Sequence, residues 1–311
     1  MARKVKVAAG QMGPIQRSET RAVAVARMLE LMKQAHAENC RLIVFPELAL
    51  TTFFPRWPME DQAEVDAFFE TDMPNADCQP LFDAAKEIGI GFYLGYAELT
   101  EEAGQVHHYN TSIIVDADAR IIGKYRKVHL PGHVEYDRNR KWQHLEKRYF
   151  EVGNLGFPVW NTMDGVFGMC LCNDRRWPET YRVMGLKNVE MVLLGYNTPT
   201  LNSMTDDEGA DLRMFHNHLS MQAGAYQNST WVVGAAKAGN EDGFDLMGGS
   251  AIIAPTGEIV AEAETRDDEL VVAECDLDAC IFNKETVFNF TAHRRPEHYG
   301  LITERVGPSP N

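Results

Sequence analysis

The sequence of 311 residues has no apolar run long enough to cross a membrane, and its first residues lack the apolar core of a signal peptide. It has little positive charge, since 30 Lys and Arg against 45 Asp and Glu give a formal net charge of −15. This balance argues against a nucleic-acid or anionic-membrane partner. Six cysteines are too few for a disulfide framework in a chain of this length. We therefore expect a cytoplasmic protein that acts on a small molecule.

The composition gives no sign of a division into domains, because there is no internal repeat, low-complexity tract or Pro/Gly/Ser-rich linker. We predict one domain over residues 1–311, with an irregular C-terminal arm from about residue 276. An arm of this kind is typical of subunits that pack onto one another. The expected assembly is a homodimer or homotetramer.

Buried strands and amphipathic helices alternate along the chain. Strands are predicted at 5–9, 42–45, 90–96, 111–115, 120–130, 166–171, 191–194, 231–235, 250–254, 259–263 and 270–273, and helices at 18–39, 80–88, 177–186 and 211–226. In the last helix, Leu212, Phe215, Leu219 and Ala223 form one apolar stripe. Alternating strands and helices favour a layered α/β core, and hairpin signals add antiparallel pairing. We predict a four-layer α-β-β-α sandwich, in which two mixed sheets pack face to face under outer helices.

One strand end carries an exceptional side chain. The apolar run 166–171 stops at Cys172, two arginines follow at Arg175 and Arg176, and Pro178 suits the start of a helix. A residue on such a strand-to-helix turn projects from the carboxyl edge of the sheet, where α/β folds place their chemistry. Fixed positive charge beside a thiol favours the thiolate. Cys172 is therefore a candidate nucleophile.

Two further reactive side chains occur where strands end, Glu47 and Lys127. Each alone would be interpreted as a solvated surface charge, and a lone cysteine as a core residue. Together they supply what a thiol nucleophile needs, namely a base for its proton and a donor for the developing oxyanion. Burial would raise the pKa of a glutamate toward useful base strength, and a nearby lysine would lower that of the thiol.

The segments around these three residues, 45–48, 123–130 and 172–176, resemble in order the three signatures of the nitrilase/carbon–nitrogen hydrolase superfamily. The resemblance spans residues 5 to 300. Five segments, 46–56, 129–133, 144–150, 173–180 and 195–200, resemble its N-carbamoyl-D-amino-acid amidohydrolase branch. The resemblance implies the α-β-β-α fold and hydrolysis of N-carbamoyl-D-amino acids to D-amino acid, ammonia and carbon dioxide without a cofactor.

The resemblance also implies roles for individual residues. Cys172 would attack the ureido carbonyl, Glu47 would transfer protons, Lys127 would stabilise the oxyanion, and Glu146 would orient this cluster. Arg175 and Arg176 suit the substrate carboxylate, because guanidinium groups bind carboxylates in bidentate geometry. Five further residues are predicted to bind substrate or support the acidic cluster: Asn173, Asn197, Thr198, His129 and His144.

Three alternatives remain at this point. The chain could be another amidohydrolase of the superfamily, such as a β-ureidopropionase-like enzyme, an aliphatic amidase or a nitrilase. A zinc hydrolase would use His129, His133 and His144. Leu130-Pro131-Gly132 breaks any helix between His129 and His133, so we predict no metal site. A non-catalytic scaffold would have no chemical need to retain Glu47, Lys127 and Cys172 together.

Overall fold

Two six-stranded mixed sheets form the centre of the protein in a computed structural model that describes residues 2–204 and 207–308. The strands are β1 (Lys4–Gln11), β2 (Leu42–Val44), β3 (Gly91–Glu102), β4 (Gln105–Val115), β5 (Ile121–Arg126), β6 (Val159–Thr162), β7 (Gly165–Leu171), β8 (Met191–Tyr196), β9 (Trp231–Ala236), β10 (Ala238–Glu241), β11 (Phe244–Met247), β12 (Ala251–Ile253), β13 (Ile259–Glu262) and β14 (Glu269–Asp276). The first sheet has the order β14-β1-β2-β3-β4-β5 and the second the order β13-β12-β9-β8-β7-β6, while β10 and β11 pair separately.

Helices cover the outer face of each sheet, which gives the predicted four-layer α-β-β-α sandwich. The helices are α1 (Arg21–Ala37), α2 (Gln62–Asp66), α3 (Gln79–Ile88), α4 (Glu146–Tyr149), α5 (Pro178–Leu186), α6 (Ala210–Asn228), α7 (Ala279–Glu285), α8 (Phe290–His293) and α9 (Gly300–Glu304). Helices α1 and α3 share an apolar cluster with the first sheet, and α5 and α6 pack on the second. Gly89, in the left-handed conformation, ends α3 as the sequence predicts.

The apolar core between the sheets joins both of them in one cluster. Val7, Val44 and Tyr93 of the first sheet lie in that cluster with Leu193 and Val233 of the second, and all five are fully buried. Buried apolar area of this kind is the main force that holds two sheets together. A polar link crosses the same interface, since the hydroxyl of Tyr93 donates to the carbonyl of residue 170 at 3.1 Å and accepts from the amide of residue 195 at 3.2 Å.

The hairpin of β3 and β4 is longer than its apolar pattern indicates. The predicted strands cover only its buried half, and the pairing continues outward to Glu102 and Gln105. Two residues with positive φ, Ala103 at 52° and Gly104 at 78°, close it as a tight hairpin turn. β5 is shorter than predicted, because it ends at Arg126 rather than at residue 130.

The apolar stripe of α6 faces outward, contrary to the usual orientation of such a stripe. Leu212, Phe215 and Leu219 are 44%, 58% and 47% exposed. The buried face of the helix instead carries polar residues that hydrogen-bond inward, such as Asn217, beside Met221. We call Leu212, Phe215 and Leu219 the α6 stripe.

The segment after β14 consists of short helices, and part of it packs on the chain's own body. Tyr226 of α6 meets Phe288 edge to face at 4.9 Å, and the guanidinium of Arg182 lies 4.2 Å from the ring centre of Phe290. In the described ranges, none of the helices combines the length and the apolar composition that crossing a membrane requires.

Candidate active site

Four of the predicted site residues follow the carboxyl ends of strands, and the fold brings those ends together. Glu47 and Lys127 follow β2 and β5 of the first sheet, while Cys172 and Asn197 follow β7 and β8 of the second. These strands point the same way within each sheet. The two edges meet, because the side-chain amide of Asn197 donates to the carbonyl of Glu47 at 2.9 Å.

Two glycines allow the backbone of Glu47 to pass between the sheets. A Cβ atom at Gly95 of β3 would lie 2.8 Å from the Cα of Glu47, and one at Gly195 of β8 would lie 2.5 Å from its amide nitrogen. Neither distance is tolerated, so both positions need a residue without a side chain. The carboxylate of Glu47 accepts from the Asn110 side chain at 2.8 Å and from the Asn197 amide at 3.2 Å. The position of this carboxylate is therefore fixed from both sheets.

Lys127 joins two buried carboxylates. Its Nζ donates to Glu47 Oε1 at 2.7 Å and to Glu146 Oε2 at 2.6 Å, and all three side chains are fully buried. Burial alone would lower the pKa of Lys127, but the charges of Glu146 and Glu47 outweigh it and the pKa is raised. Burial would raise the pKa of Glu146, yet Lys127 and a hydrogen bond from His144 hold it below its ordinary value. At Glu146 the charge of the shared lysine and the hydrogen bond from His144 therefore outweigh the effect of burial.

Cys172 lies on a strained turn directly after β7. Its φ is +41°, in the left-handed region that residues with a side chain seldom adopt. The buried carboxylate of Asp174 stabilises this turn, because it accepts from the Leu171 amide at 3.1 Å, the Tyr125 hydroxyl at 2.7 Å and the His129 amide at 2.9 Å. The predicted strand-to-turn geometry is thus present, and the thiol projects from the sheet edge.

The charge environment of Cys172 differs from the prediction of a ready thiolate. Burial and the charge of Glu47 raise the pKa of the thiol, and the opposite effects of Lys127 and Arg175 do not compensate. The thiol donates a long contact of 3.6 Å to the carbonyl of Asn197. In the free protein this sulfur is therefore a protonated thiol at neutral pH, and nucleophilic use of it requires a base.

A cavity of about 170 Å³ opens above this thiol. Five of the predicted site residues line it in addition to Cys172: His144, Asn173, Arg176, Asn197 and Thr198. The remaining lining residues were not predicted as site residues: Pro131, Trp142, Pro199, Asn202, Ser203 and Arg213.

The two arginines after Cys172 have different environments. Arg175 is 1% exposed, and its guanidinium donates to the Cys172 carbonyl at 2.6 Å, to Asn217 at 2.9 Å and to Thr198 at 2.9 Å. Arg175 is not among the residues that line the cavity, and its N–H groups donate to protein acceptors. Arg176 is exposed and lines the cavity. Desolvation of part of the side chain and the neighbouring charge of Arg175 lower the pKa of Arg176 to about 10, which leaves it positive at neutral pH.

The two predicted histidines also differ. His144 lines the cavity, and its Nε2 lies 2.9 Å from Glu146 Oε1. His129 is not a lining residue, because its Nδ1 lies 2.8 Å from Asp174 and its ring stacks on Trp177 at 5.1 Å. His129 therefore supports the turn of Cys172, while His144 connects the cavity to the buried carboxylates.

Comparison with known proteins identifies the family. The model of the carbon-nitrogen hydrolase family matches residues 6–284. The chain belongs to the carbon-nitrogen hydrolase family. This result confirms the resemblance found in the sequence.

Individual relatives of this hydrolase are similar over most of the chain. An N-carbamoylputrescine amidase from Arabidopsis thaliana is 32% identical over 291 residues, which are 91% of each protein. A citrullinase from Francisella tularensis is 31% identical over 201 residues, 63% of this chain and 66% of that protein. The crystal structure of a carbon-nitrogen hydrolase from Helicobacter pylori has a TM-score of 0.83 at 21% identity and covers 97% of this chain and 99% of its own, so it shares the fold.

Some residues of the hydrolase site were missed because no local signal marks them. Asn110 lies inside β4 in an ordinary strand pattern, and only the pairing of β4 with its neighbours brings its amide to Glu47. Arg213 and Trp142 reach the cavity from segments distant in sequence. Asp174 did carry a signal, since an acidic residue just after a strand end often accepts backbone amides of the turn.

Proposed function

We propose that this hydrolase converts N-carbamoyl-D-amino acids to D-amino acid, ammonia and carbon dioxide. The observation that carries the proposal is the environment of Arg176, which lines the cavity together with Cys172 while the guanidinium of Arg175 is occupied by protein groups. An amino-acid product must carry a carboxylate, and a guanidinium is the side chain best suited to bind one.

The proposed reaction begins with Cys172, whose thiol must lose a proton because its pKa is raised. Glu47 accepts that proton as the sulfur attacks the ureido carbon. Lys127 donates to the oxyanion of the tetrahedral intermediate, and its two carboxylate contacts hold its ammonium in place for this role. Glu47 then returns the proton to the departing nitrogen, which leaves as ammonia.

The second half of the reaction frees the thiol. The remaining S-carbonyl intermediate keeps its bond to the amino-acid nitrogen. Water activated by Glu47 attacks that carbonyl and releases the N-carboxy amino acid, and the thiol regains its proton. Loss of carbon dioxide from the N-carboxy group then gives the amino acid, so that one water is consumed for each ammonia and carbon dioxide formed.

The cavity offers partners for the rest of the substrate. The side-chain nitrogen of Asn197 donates to Glu47, which fixes the orientation of the amide, and its Oδ1 is buried without a hydrogen-bond partner in the described residues. That oxygen suits a ureido N–H. Asn173 and Thr198 are further polar lining residues, and His144 is the polar contact on the side of Glu146.

The charge of the cavity argues against a cationic substrate. The lining residues that the structure describes include Arg176 and Arg213 but neither Asp nor Glu. Arg213 is paired with Glu208 at 2.7 Å, so Arg176 is the residue on which this charge depends. N-carbamoylputrescine, after which the Arabidopsis relative is named, ends in an amine that is protonated at neutral pH. A cavity for that amine needs a carboxylate or an aromatic cage. The citrullinase relative, by its name, acts on a ureido amino acid, which is closer to the substrate class proposed here.

The D configuration rests on the resemblance of the segments 46–56, 129–133, 144–150, 173–180 and 195–200 to the D-specific branch of the superfamily. Several of these segments border the site, since they carry Glu47, His144, Asn173 and Asn197. The stereochemical preference is therefore the finest part of the proposal and is tested separately.

The test is ammonia release from matched D and L pairs of N-carbamoyl amino acids, with N-carbamoylputrescine, a simple amide and a nitrile in the same panel. We expect turnover of the carboxylated ureas, faster with the D form, and none with Cys172→Ala. Undiminished turnover in Cys172→Ala would remove the thiol from the mechanism. Preference for N-carbamoylputrescine or for the L form would refute the substrate assignment, and turnover lost to a chelator and restored by zinc would favour a metallohydrolase.

A further inference from the structure

A second cluster of buried charges lies close enough to Glu47 for the charge of that carboxylate to act on it. It consists of Glu241 at the end of β10, Lys237 between β9 and β10, and Arg56, which are 0%, 0% and 4% exposed. Arg56 Nη2 lies 2.7 Å from Glu241 Oε1, and Lys237 Nζ lies 3.2 Å from Glu241 Oε2. We call these three residues the Glu241 cluster. The proposed chemistry uses none of them.

The Glu241 cluster binds the backbone of the loop 51–56. Glu241 Oε1 accepts from the amide of Phe53 at 2.8 Å, and Lys237 Nζ donates to the carbonyl of Thr51 at 2.5 Å. Arg56 Nε donates to the carbonyl of Phe53 at 3.0 Å. The loop therefore has three charge-assisted contacts within six residues, and such contacts are the stronger hydrogen bonds of a protein.

The loop 51–56 touches the surroundings of both catalytic-site carboxylates. It begins four residues after Glu47, and the carbonyl of Pro55 accepts from the amide of Leu145, the residue before Glu146, at 2.7 Å. The ring of Phe53 packs edge-on against His144 at 5.4 Å, and His144 bonds to Glu146. A shift of this loop would thus displace both carboxylates that hold Lys127.

Stability alone gives little reason for these buried charges. Three charges without access to water carry a large desolvation cost, and well-packed apolar side chains of similar volume commonly serve a core as well or better. A fully bonded polar network, however, fixes one backbone conformation where apolar packing would allow several. We propose that the Glu241 cluster is a positioning device that fixes the loop 51–56 and, through it, aligns Glu47 and Glu146 with Lys127. This inference rests on the proposed roles of Glu47 and Lys127.

The experiment compares Glu241→Gln and Lys237→Met with the wild type. Glu241→Gln leaves two cations against a neutral amide, while Lys237→Met keeps the ion pair of Glu241 with Arg56 and removes the contacts of Lys237 with Thr51 and with Glu241. The matched control is Glu190→Gln. Glu190 is also a buried glutamate bonded to an arginine, Arg3, and to a backbone amide, but it lies before β8, at the end of the sheet away from Cys172.

Two readouts are measured well below the unfolding midpoint of each variant. For kinetics, we expect kcat of Glu241→Gln to fall about 10- to 100-fold and that of Lys237→Met to fall in the same direction, with KM changed by less than about threefold, because misalignment of about 1 Å has this effect on chemistry. The second readout is the pH profile of Cys172 alkylation by iodoacetamide, followed by mass spectrometry. It should shift in both variants, because thiol ionisation depends on the neighbouring carboxylate and ammonium, and it should not shift in Glu190→Gln.

Lower unfolding midpoints with unchanged kcat and an unchanged alkylation profile would show that the cluster only stabilises the fold and would overturn the inference. An equal loss in Glu190→Gln would do the same. The alkylation arm needs no substrate, so it separates this inference from the proposed function. If no ureido compound is turned over by the wild type, the proposed function fails, while a shifted alkylation profile would still support positioning by the cluster.

Discussion

Replacement of Arg176 by alanine tests the carboxylate site most directly. Arg176 lines the cavity and Arg175 does not, so the variant removes the guanidinium that faces the substrate while the wall of the cavity stays bonded. A hydrogen bond to a charged group contributes about 1.5–3 kcal/mol, which corresponds to a change of about 10- to 150-fold in kcat/KM. The exposure of Arg176 favours the lower half of that range, because water screens exposed charges.

The assay is ammonia release from N-carbamoyl-D-alanine and from ethylurea, which has the same skeleton without the carboxylate. In Arg176→Ala, kcat/KM for the carboxylated substrate should fall, mainly through KM, while that for ethylurea should change by less than about threefold. Arg176→Lys should give an intermediate loss, since an ammonium keeps the charge but not the planar pair of donors. Arg182→Ala is the matched control, because Arg182 lies outside the cavity against Phe290.

An equal fall on both substrates, or none on either, would refute the assignment of Arg176 to the carboxylate. A third measurement uses the cationic substrate N-carbamoylputrescine. Loss of a positive charge at the cavity should raise kcat/KM for N-carbamoylputrescine in Arg176→Ala relative to the wild type. A decrease there would mean that Arg176 organises the cavity rather than selects its ligand.

Four other measurements test the site and the surface. Because the pKa of Cys172 is raised above its ordinary value of 9.0, alkylation of the free hydrolase should keep accelerating as the pH rises through 9, and a plateau near pH 7 would contradict this. Gly195→Ala places a methyl group 2.5 Å from the amide of Glu47, so kcat should fall about 10- to 100-fold in steady-state assays. Glu146→Gln breaks a buried ion pair with Lys127 and should lower the free energy of unfolding by about 3–5 kcal/mol at pH 7 in urea titrations. Since the folded pKa of Glu146 is depressed below 4.5, this stabilisation is present above pH 4.5 and is lost as the pH falls through the folded pKa, so wild type and variant should converge in acid. Finally, the predicted homodimer or homotetramer would bury the α6 stripe, so sedimentation should give at least twice 35.0 kDa, and a glutamate within the stripe should shift the mass toward the monomer.

Strand ends were the most informative part of the sequence. The apolar runs before Glu47 and Cys172 form buried strands, whereas β5 before Lys127 is partly exposed. An apolar run that stops at a polar residue marks the edge of a sheet. The separation of the strand ends along the sequence does not show which of them lie beside one another in the fold. That depends on the pairing order within each sheet and on how the sheets face each other, both of which are long-range properties.

The errors concern electrostatics and the faces of elements. The sequence places Arg175 and Arg176 side by side, but only the fold shows that Arg175 is bonded to protein groups while Arg176 lines the cavity. Whether the pKa of Cys172 is raised or lowered depends on the balance between burial and the charges of Glu47 and Lys127. That balance is set by distances in the folded protein, which the sequence does not give. The α6 stripe faces outward because a polar face of that helix has partners inside.

Division of the reactive groups between two layers has a consequence for how activity is lost. Glu47 and Lys127 extend from one sheet, and Cys172 and Asn197 from the other, so neither half carries a working set. A mild denaturant that separates the two sheets would inactivate the enzyme while most helices and strands persist. Turnover is therefore a more sensitive reporter of layer docking than far-ultraviolet circular dichroism.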